Sequence, residues 1–186
     1  MLARGESLRT REELMALARA GRMRGGLEPA AVRAVIDRVA AAEVGRDLAE
    51  PLELLRASLS PGPGGPTAAA VIRAGRGVAL SLTVQDEIWI DGFTVHPDAL
   101  GRSDVTVYFR PIHEWRGRRL WMHGYPEGSS SFVSFDPAPP AFDGWKVGEL
   151  AWERFVLPAG VRFTTYVGMS EGARSGAAVP LGWVPR

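Results

Sequence analysis

Apolar positions change their period once along this chain. Up to residue 59 they recur every three or four residues, and from Val78 onward they alternate. In the first stretch Leu14, Leu17 and Ala18 share a helical face. They follow Thr10-Arg11-Glu12-Glu13, which has the form of a capping box. The threonine hydroxyl there accepts from the amide three residues on, and Glu13 reaches back. Gly21 or Gly25-Gly26 is expected to end that helix. Pro29 suits the first turn of a second helix, in which Val32, Val35, Ile36 and Val39 form the stripe and Arg33, Asp37 and Arg38 lie elsewhere. Gly45 breaks it, and Asp47 caps a third helix carrying Leu48, Leu52, Leu55 and Leu59, with Pro51 early enough to be tolerated. The spacing predicts helices over 11–22, 29–44 and 47–58.

Ser60-Pro61-Gly62-Pro63-Gly64-Gly65-Pro66 has no period and reads as an extended linker. Alternation begins beyond it. Val78, Leu80, Leu82 and Val84 alternate with Ala79, Ser81 and Thr83; Ile88, Ile90 and Phe93 follow. Further runs are Val105/Val107/Phe109, Leu120/Met122, Phe132–Phe135, Leu150/Trp152/Val156, Val161/Phe163/Thr165/Val167 and Val179/Leu181/Trp183. Turns such as His96-Pro97-Asp98 and Pro137-Ala138-Pro139-Pro140 separate them. Seven or eight short strands without intervening helices predict a mainly β chain, an antiparallel immunoglobulin-like sandwich from about residue 76 to 184 preceded by a short helical segment. A closed barrel is the alternative. The expected organisation is a helical arm over 1–59, a Pro/Gly linker over 60–67 and a β domain over 68–186.

Composition sharpens this division. All the aromatic residues lie between Trp89 and Trp183, so the helical arm has no ring with which to build a core. An arm of that size is marginal alone. Its stripes, Val32, Val35, Ile36 and Val39 together with Leu52 and Leu55, are therefore expected to dock on the β domain, on a second copy or on a partner protein. Net charge is +1 with no basic block, which gives nucleic-acid binding no electrostatic support. There is no cysteine, hence no disulfide framework and no thiolate metal site. No apolar run approaches a membrane span, and Met1-Leu2-Ala3-Arg4-Gly5-Glu6 lacks the apolar core of a signal peptide. The default expectation is a cytoplasmic protein, or an extracytoplasmic one if the chain is a processed fragment.

Four short motifs carry a resemblance. Leu120-Trp121-Met122-His123 is an aromatic-x-His strand end, and Trp145-Lys146-Val147-Gly148-Glu149 is a W-x-x-G-E turn. Leu157-Pro158-Ala159-Gly160 is an L-P-x-G corner, and Phe163 to Met169, ending Tyr166-Val167-Gly168-Met169, is similar to a Y-x-V-G-x strand but lacks the residue between Tyr and Val. Together residues 86–184 resemble the soluble β-sandwich domains attached to bacterial membrane glycosyltransferases. The resemblance implies a sandwich and a sugar-associated role. The chain departs from that pattern in its helical arm and in having no membrane segment.

Catalytic chemistry finds little purchase in the sequence. His96 with Asp98, and His113 with Glu114, are possible metal-ligand pairs, but no spacing such as H-x-x-x-H joins them. Ser129-Ser130-Ser131, His123 and Asp136 compose a Ser–His–Asp set on paper, without a nucleophile elbow. Gly75-Arg76-Gly77 and Gly62-Pro63-Gly64-Gly65 match neither phosphate-binding fingerprint. No cofactor is expected. The candidate ligand surface is Trp121, His123 and Tyr125, which project from one face of one strand near Arg118, Arg119 and Glu127, with Leu120 and Met122 on the other face. Trp145 and Trp152 are expected in the core or at a corner. The sequence favours a non-enzymatic β-sandwich module in protein assembly or recognition. The alternatives are a carbohydrate-binding accessory module and an enzyme with an unrecognised site.

Overall fold

A computed structural model of the chain describes residues 4–20, 28–41, 48–59, 67–98, 100–138, 144–171, 174–175 and 178–184. Four helices and nine strands occur among them, and strand predominates. Contacts divide the chain into two units, Met1–Arg76 and Gly77–Arg186.

The first unit contains α1 (Arg4–Ala20), α2 (Pro29–Ala41), α3 (Ala49–Leu59) and α4 (Ala68–Ala74). Helix α3 packs against each of the other three. The expected start of the first helix is corrected: α1 begins at Arg4, so Thr10 lies inside it and does not cap it. Helix α2 does begin at Pro29. The stops proposed at Gly21, Gly25-Gly26 and Gly45, the Asp47 cap and the linker from Ser60 to Pro66 lie outside the described residues. Helix α4 has no counterpart among the expected elements, because Ala68-Ala69-Ala70 offers no polar contrast for a period to appear. The Thr67 hydroxyl caps it, accepting from the Ala70 amide at 3.3 Å.

Leu14, Met15, Ala18, Val32, Ile36, Leu54, Leu55, Val71 and Ile72 are all buried. In the expected docking stripe Val32, Ile36 and Leu55 are thus covered already, while Val35, Val39 and Leu52 are half-buried. A buried ion pair joins α1 to α3: the Arg11 guanidinium donates to the Glu50 carboxylate at 3.1 Å, with the side chains 2% and 1% exposed. Glu50 stands in the first turn of α3, where the helix dipole favours an anion.

The second unit contains two antiparallel sheets. Sheet A runs in the order β1 (Val78–Val84), β2 (Ile88–Pro97), β3 (Ser103–Pro111), β6 (Ala151–Leu157). In sheet B, β4 (Arg118–Pro126) lies between β5 (Val133–Phe135) and β7 (Phe163–Glu171), and β7 also pairs with β8 (Arg174–Ser175) and β9 (Val179–Val184). Each of the eight alternating runs forms a strand, and β8 is added to them. Ile88, Ile90, Val105, Val107 and Phe109 are buried in sheet A, and Leu120, Met122, Phe163, Val167 and Met169 in sheet B.

Strand β3 is dry on both faces, since Thr106 and Tyr108 are as deeply buried as Val105, Val107 and Phe109. Its alternation alone suggests one wet face. Asp104 at its start accepts two hydrogen bonds from Arg154 on β6, at 3.1 and 2.7 Å. Trp145 and Trp152 are core residues as expected, 4.7 Å apart, and the Trp145 indole donates to Glu153 at 3.2 Å.

The β1–β2 turn is strained. Gln85 and Asp86 have φ of 54° and 56°, and the Glu87 amide closes the turn on the Val84 carbonyl at 3.0 Å. Two consecutive positive φ angles are the requirement of a type I′ turn, which Asn-Gly satisfies without strain and Gln-Asp does not. Polar contacts hold the turn in place: Gln85 donates to the Met169 carbonyl at 3.4 Å, and Glu87 pairs with Arg118.

Two outcomes follow. Glu50→Ala leaves the Arg11 charge buried without its carboxylate, and denaturant unfolding should report a loss of about 3–5 kcal/mol for the helical unit. Asp86→Gly relieves the turn, and the same measurement on the β unit should report a gain of about 1 kcal/mol.

Candidate functional site: a stack of rings on sheet B

Alternation on β4 divides its side chains as expected. Leu120 and Met122 are buried on one face, and the Cβ that a residue at Gly124 would carry lies among the Phe163 and Phe135 rings. Trp121, His123 and Tyr125 occupy the opposite face. Strand β7 brings Gly168, Tyr166 and Thr164 directly opposite those three. Strand β5 brings Ser134 opposite His123.

The rings do not lie open. Trp121 and His123 are 4.1 Å apart, and His123 and Phe132 are stacked at 4.0 Å with 20° between their planes. Phe132 meets Tyr125 at 5.7 Å, and Tyr125 meets Tyr166 edge-on at 5.5 Å. Both faces of the imidazole are therefore occupied. Trp121 leans over Gly168: a Cβ on that glycine would sit 2.2 Å from the tryptophan Cζ2. The indole is only 9% exposed. Trp121 is thus the least accessible of the three rings expected to form an open platform. Exposure instead falls on Phe132 at 50% and on its neighbour Val133 at 45%.

Sequence reasoning missed Phe132 and Tyr166 as members of this cluster. The period of β7 already puts Tyr166 on the face away from Val167. What the sequence lacks is the β4–β7 pairing and the return of β5, which bring separate strands together. Arg118 does not flank the stripe as expected. It is in phase with Leu120 and is paired to Glu87. Arg119 is exposed on the stripe face, and Glu127 lies 3.6 Å from Arg162.

The catalytic arrangements that can be written from sequence do not assemble. Ser129 and Ser131 close on each other, with the Ser129 hydroxyl donating to the Ser131 carbonyl and accepting from its amide, both at 3.1 Å. His123 is held between rings and faces Ser134 instead. Asp98 organises its own turn, accepting from the Leu100 amide at 2.8 Å, the Arg102 amide at 2.9 Å and the Arg102 guanidinium at 2.5 Å. Burial raises the Asp98 pKa, but these bonds outweigh it and hold the carboxyl below its ordinary value. Glu114 pairs with Arg116 at 2.8 Å. Among the described residues no three histidine, aspartate or glutamate side chains converge as a metal site. Among them, too, no helix is long and apolar enough to cross a membrane.

No protein-family model matches this chain, and no curated protein matches it.

His123 gives the stack a signature. Burial disfavours its imidazolium and holds its pKa below the ordinary 6.5. As pH falls, the unfolded chain takes up this proton before the folded one does. The contribution of neutral His123 is therefore complete above the unfolded value and is lost as pH falls through the folded value. Acid should weaken the near-ultraviolet dichroism of the stack in the wild type, and His123→Phe should remove that dependence. An identical acid profile in the two proteins would count against a neutral, stacked His123.

Proposed function

We propose that the β unit is an immunoglobulin-like sandwich acting as a non-enzymatic recognition module, and that a protein partner is bound at the exposed end of the ring stack. The observation that carries this reading is the adjacent pair Phe132 and Val133, each about half exposed beside rings that are already packed. A protein partner needs a rigid apolar anchor with a polar rim. Phe132 is held by His123 and Tyr125, and Ser129, Ser130, Ser131 and Ser134 surround it in sequence and register. The helical unit is proposed as a docking element through its half-buried Val35, Val39 and Leu52.

A carbohydrate ligand is the second reading. It draws on the resemblance of residues 86–184 to glycosyltransferase-associated domains and on the half-buried phenols of Tyr125 and Tyr166. Sugar stacking needs an open aromatic face. The faces of His123 are taken, which is why a protein partner is preferred.

Phe132→Ala separates the readings from a folding defect, because the side chain is half exposed. Cross-linking of the wild type in host extract, run beside this variant, should show a partner whose retention falls roughly tenfold or more. Circular dichroism should be unchanged. Equal retention by both proteins, with a glycan bound by the wild type instead, would replace the protein partner with a sugar.

A further inference from the structure

Strand β1 stands at the end of sheet A, and its outer edge pairs with no strand among the described residues. Its sequence is Val78-Ala79-Leu80-Ser81-Leu82-Thr83-Val84. Ala79, Ser81 and Thr83 are exposed, Val78 is half exposed, and Leu80 and Leu82 are half-buried. Proteins guard such edges with charge, proline, short length or a bulge. This strand has seven residues, no charge and no proline. A bulge against β2 interrupts its pairing between Ala79 and Leu82. Beyond Ala79 burial still alternates along the strand, with Leu80, Leu82 and Val84 less exposed than Ser81 and Thr83.

The strand is also close to a palindrome. Read backwards it is V-T-L-S-L-A-V, which differs from the forward order only in exchanging Ala79 and Thr83. An antiparallel pair of identical strands has a two-fold axis, so each residue i meets residue j of the other copy and j meets i. With the axis at Ser81, Leu80 meets Leu82, Val78 meets Val84, Ala79 meets Thr83, and Ser81 meets itself. Each valine and leucine then meets a valine or leucine on the same face, and the exposed faces of Ala79, Ser81 and Thr83 also coincide. Slipped by two residues, the same antiparallel pair would leave apolar side chains at the strand ends unpaired, which favours the register centred on Ser81.

We propose that β1 is a self-association edge, where two copies of the chain join antiparallel about Ser81 and continue sheet A across the two-fold axis. Edge pairing of one strand buries less surface than a stable obligate interface, so the dimer is weak and depends on concentration.

The chain has no cysteine, which makes the register directly testable in the whole protein. Ser81→Cys places one thiol on the axis. Mild oxidation should give a disulfide-linked dimer well in excess of that from Ser130→Cys, an exposed position away from β1. Ala79→Cys alone should link poorly, whereas a mixture of Ala79→Cys and Thr83→Cys should link efficiently. Leu80→Lys in the Ser81→Cys background should abolish the dimer while circular dichroism stays unchanged. Equal linking at Ser81 and Ser130, or no gain on mixing, would overturn the proposal.

Discussion

Trp121 lying over Gly168 is the contact on which the ring stack depends. The two residues face each other across β4 and β7, and the glycine has no side chain where the indole sits. A one-residue slip between these strands would send Trp121, His123 and Tyr125 toward the buried face and expose Leu120 and Met122. With the indole seated on Gly168, His123 is opposite Tyr166 and Tyr125 is opposite Thr164. The rings then pack against one another, and Phe132 extends the row at its exposed end.

That arrangement explains why several residues of the resemblance motifs are structural here. Gly168 receives an indole, Trp145 and Trp152 pack together, and Gly148 and Gly160 both take φ of 73°, where a side chain would be strained. Phe132 and Val133 leave a small apolar surface on rigid support. The helical unit is organised by a different device, the Arg11–Glu50 pair within a core of leucine, valine and alanine. Breaking such a buried pair costs more than the pair contributes over an apolar replacement.

Much of the β unit was legible because apolar residues alternate in its strand sequences, and the face division of β4 followed from that alternation alone. Helix α4 was not legible, because an alanine run carries no periodic signal. The start of α1 was misread because Thr10-Arg11-Glu12-Glu13 satisfies the spacing of a cap while lying inside a longer helix. The site was half legible. Periodicity finds the side chains sharing a face on one strand, but not which other strands lie beside it. Tyr166 and Phe132 reach the stack only through pairing and chain return, and Trp121 is covered because its neighbour on β7 is a glycine.

The most direct measurement of this account is a double-mutant cycle between Trp121→Leu and Gly168→Ala, read by denaturant unfolding. With Trp121 present, the added methyl collides with the indole, and Gly168→Ala should cost about 1–3 kcal/mol. With leucine at 121 the collision is gone, and the same substitution should cost little or become favourable, as alanine usually is over glycine within a strand. A coupling well beyond the roughly 0.5 kcal/mol scatter of independent sites is the expected result. Additive effects within that scatter would contradict the placement of Trp121 on Gly168, and with it the packed ring stack.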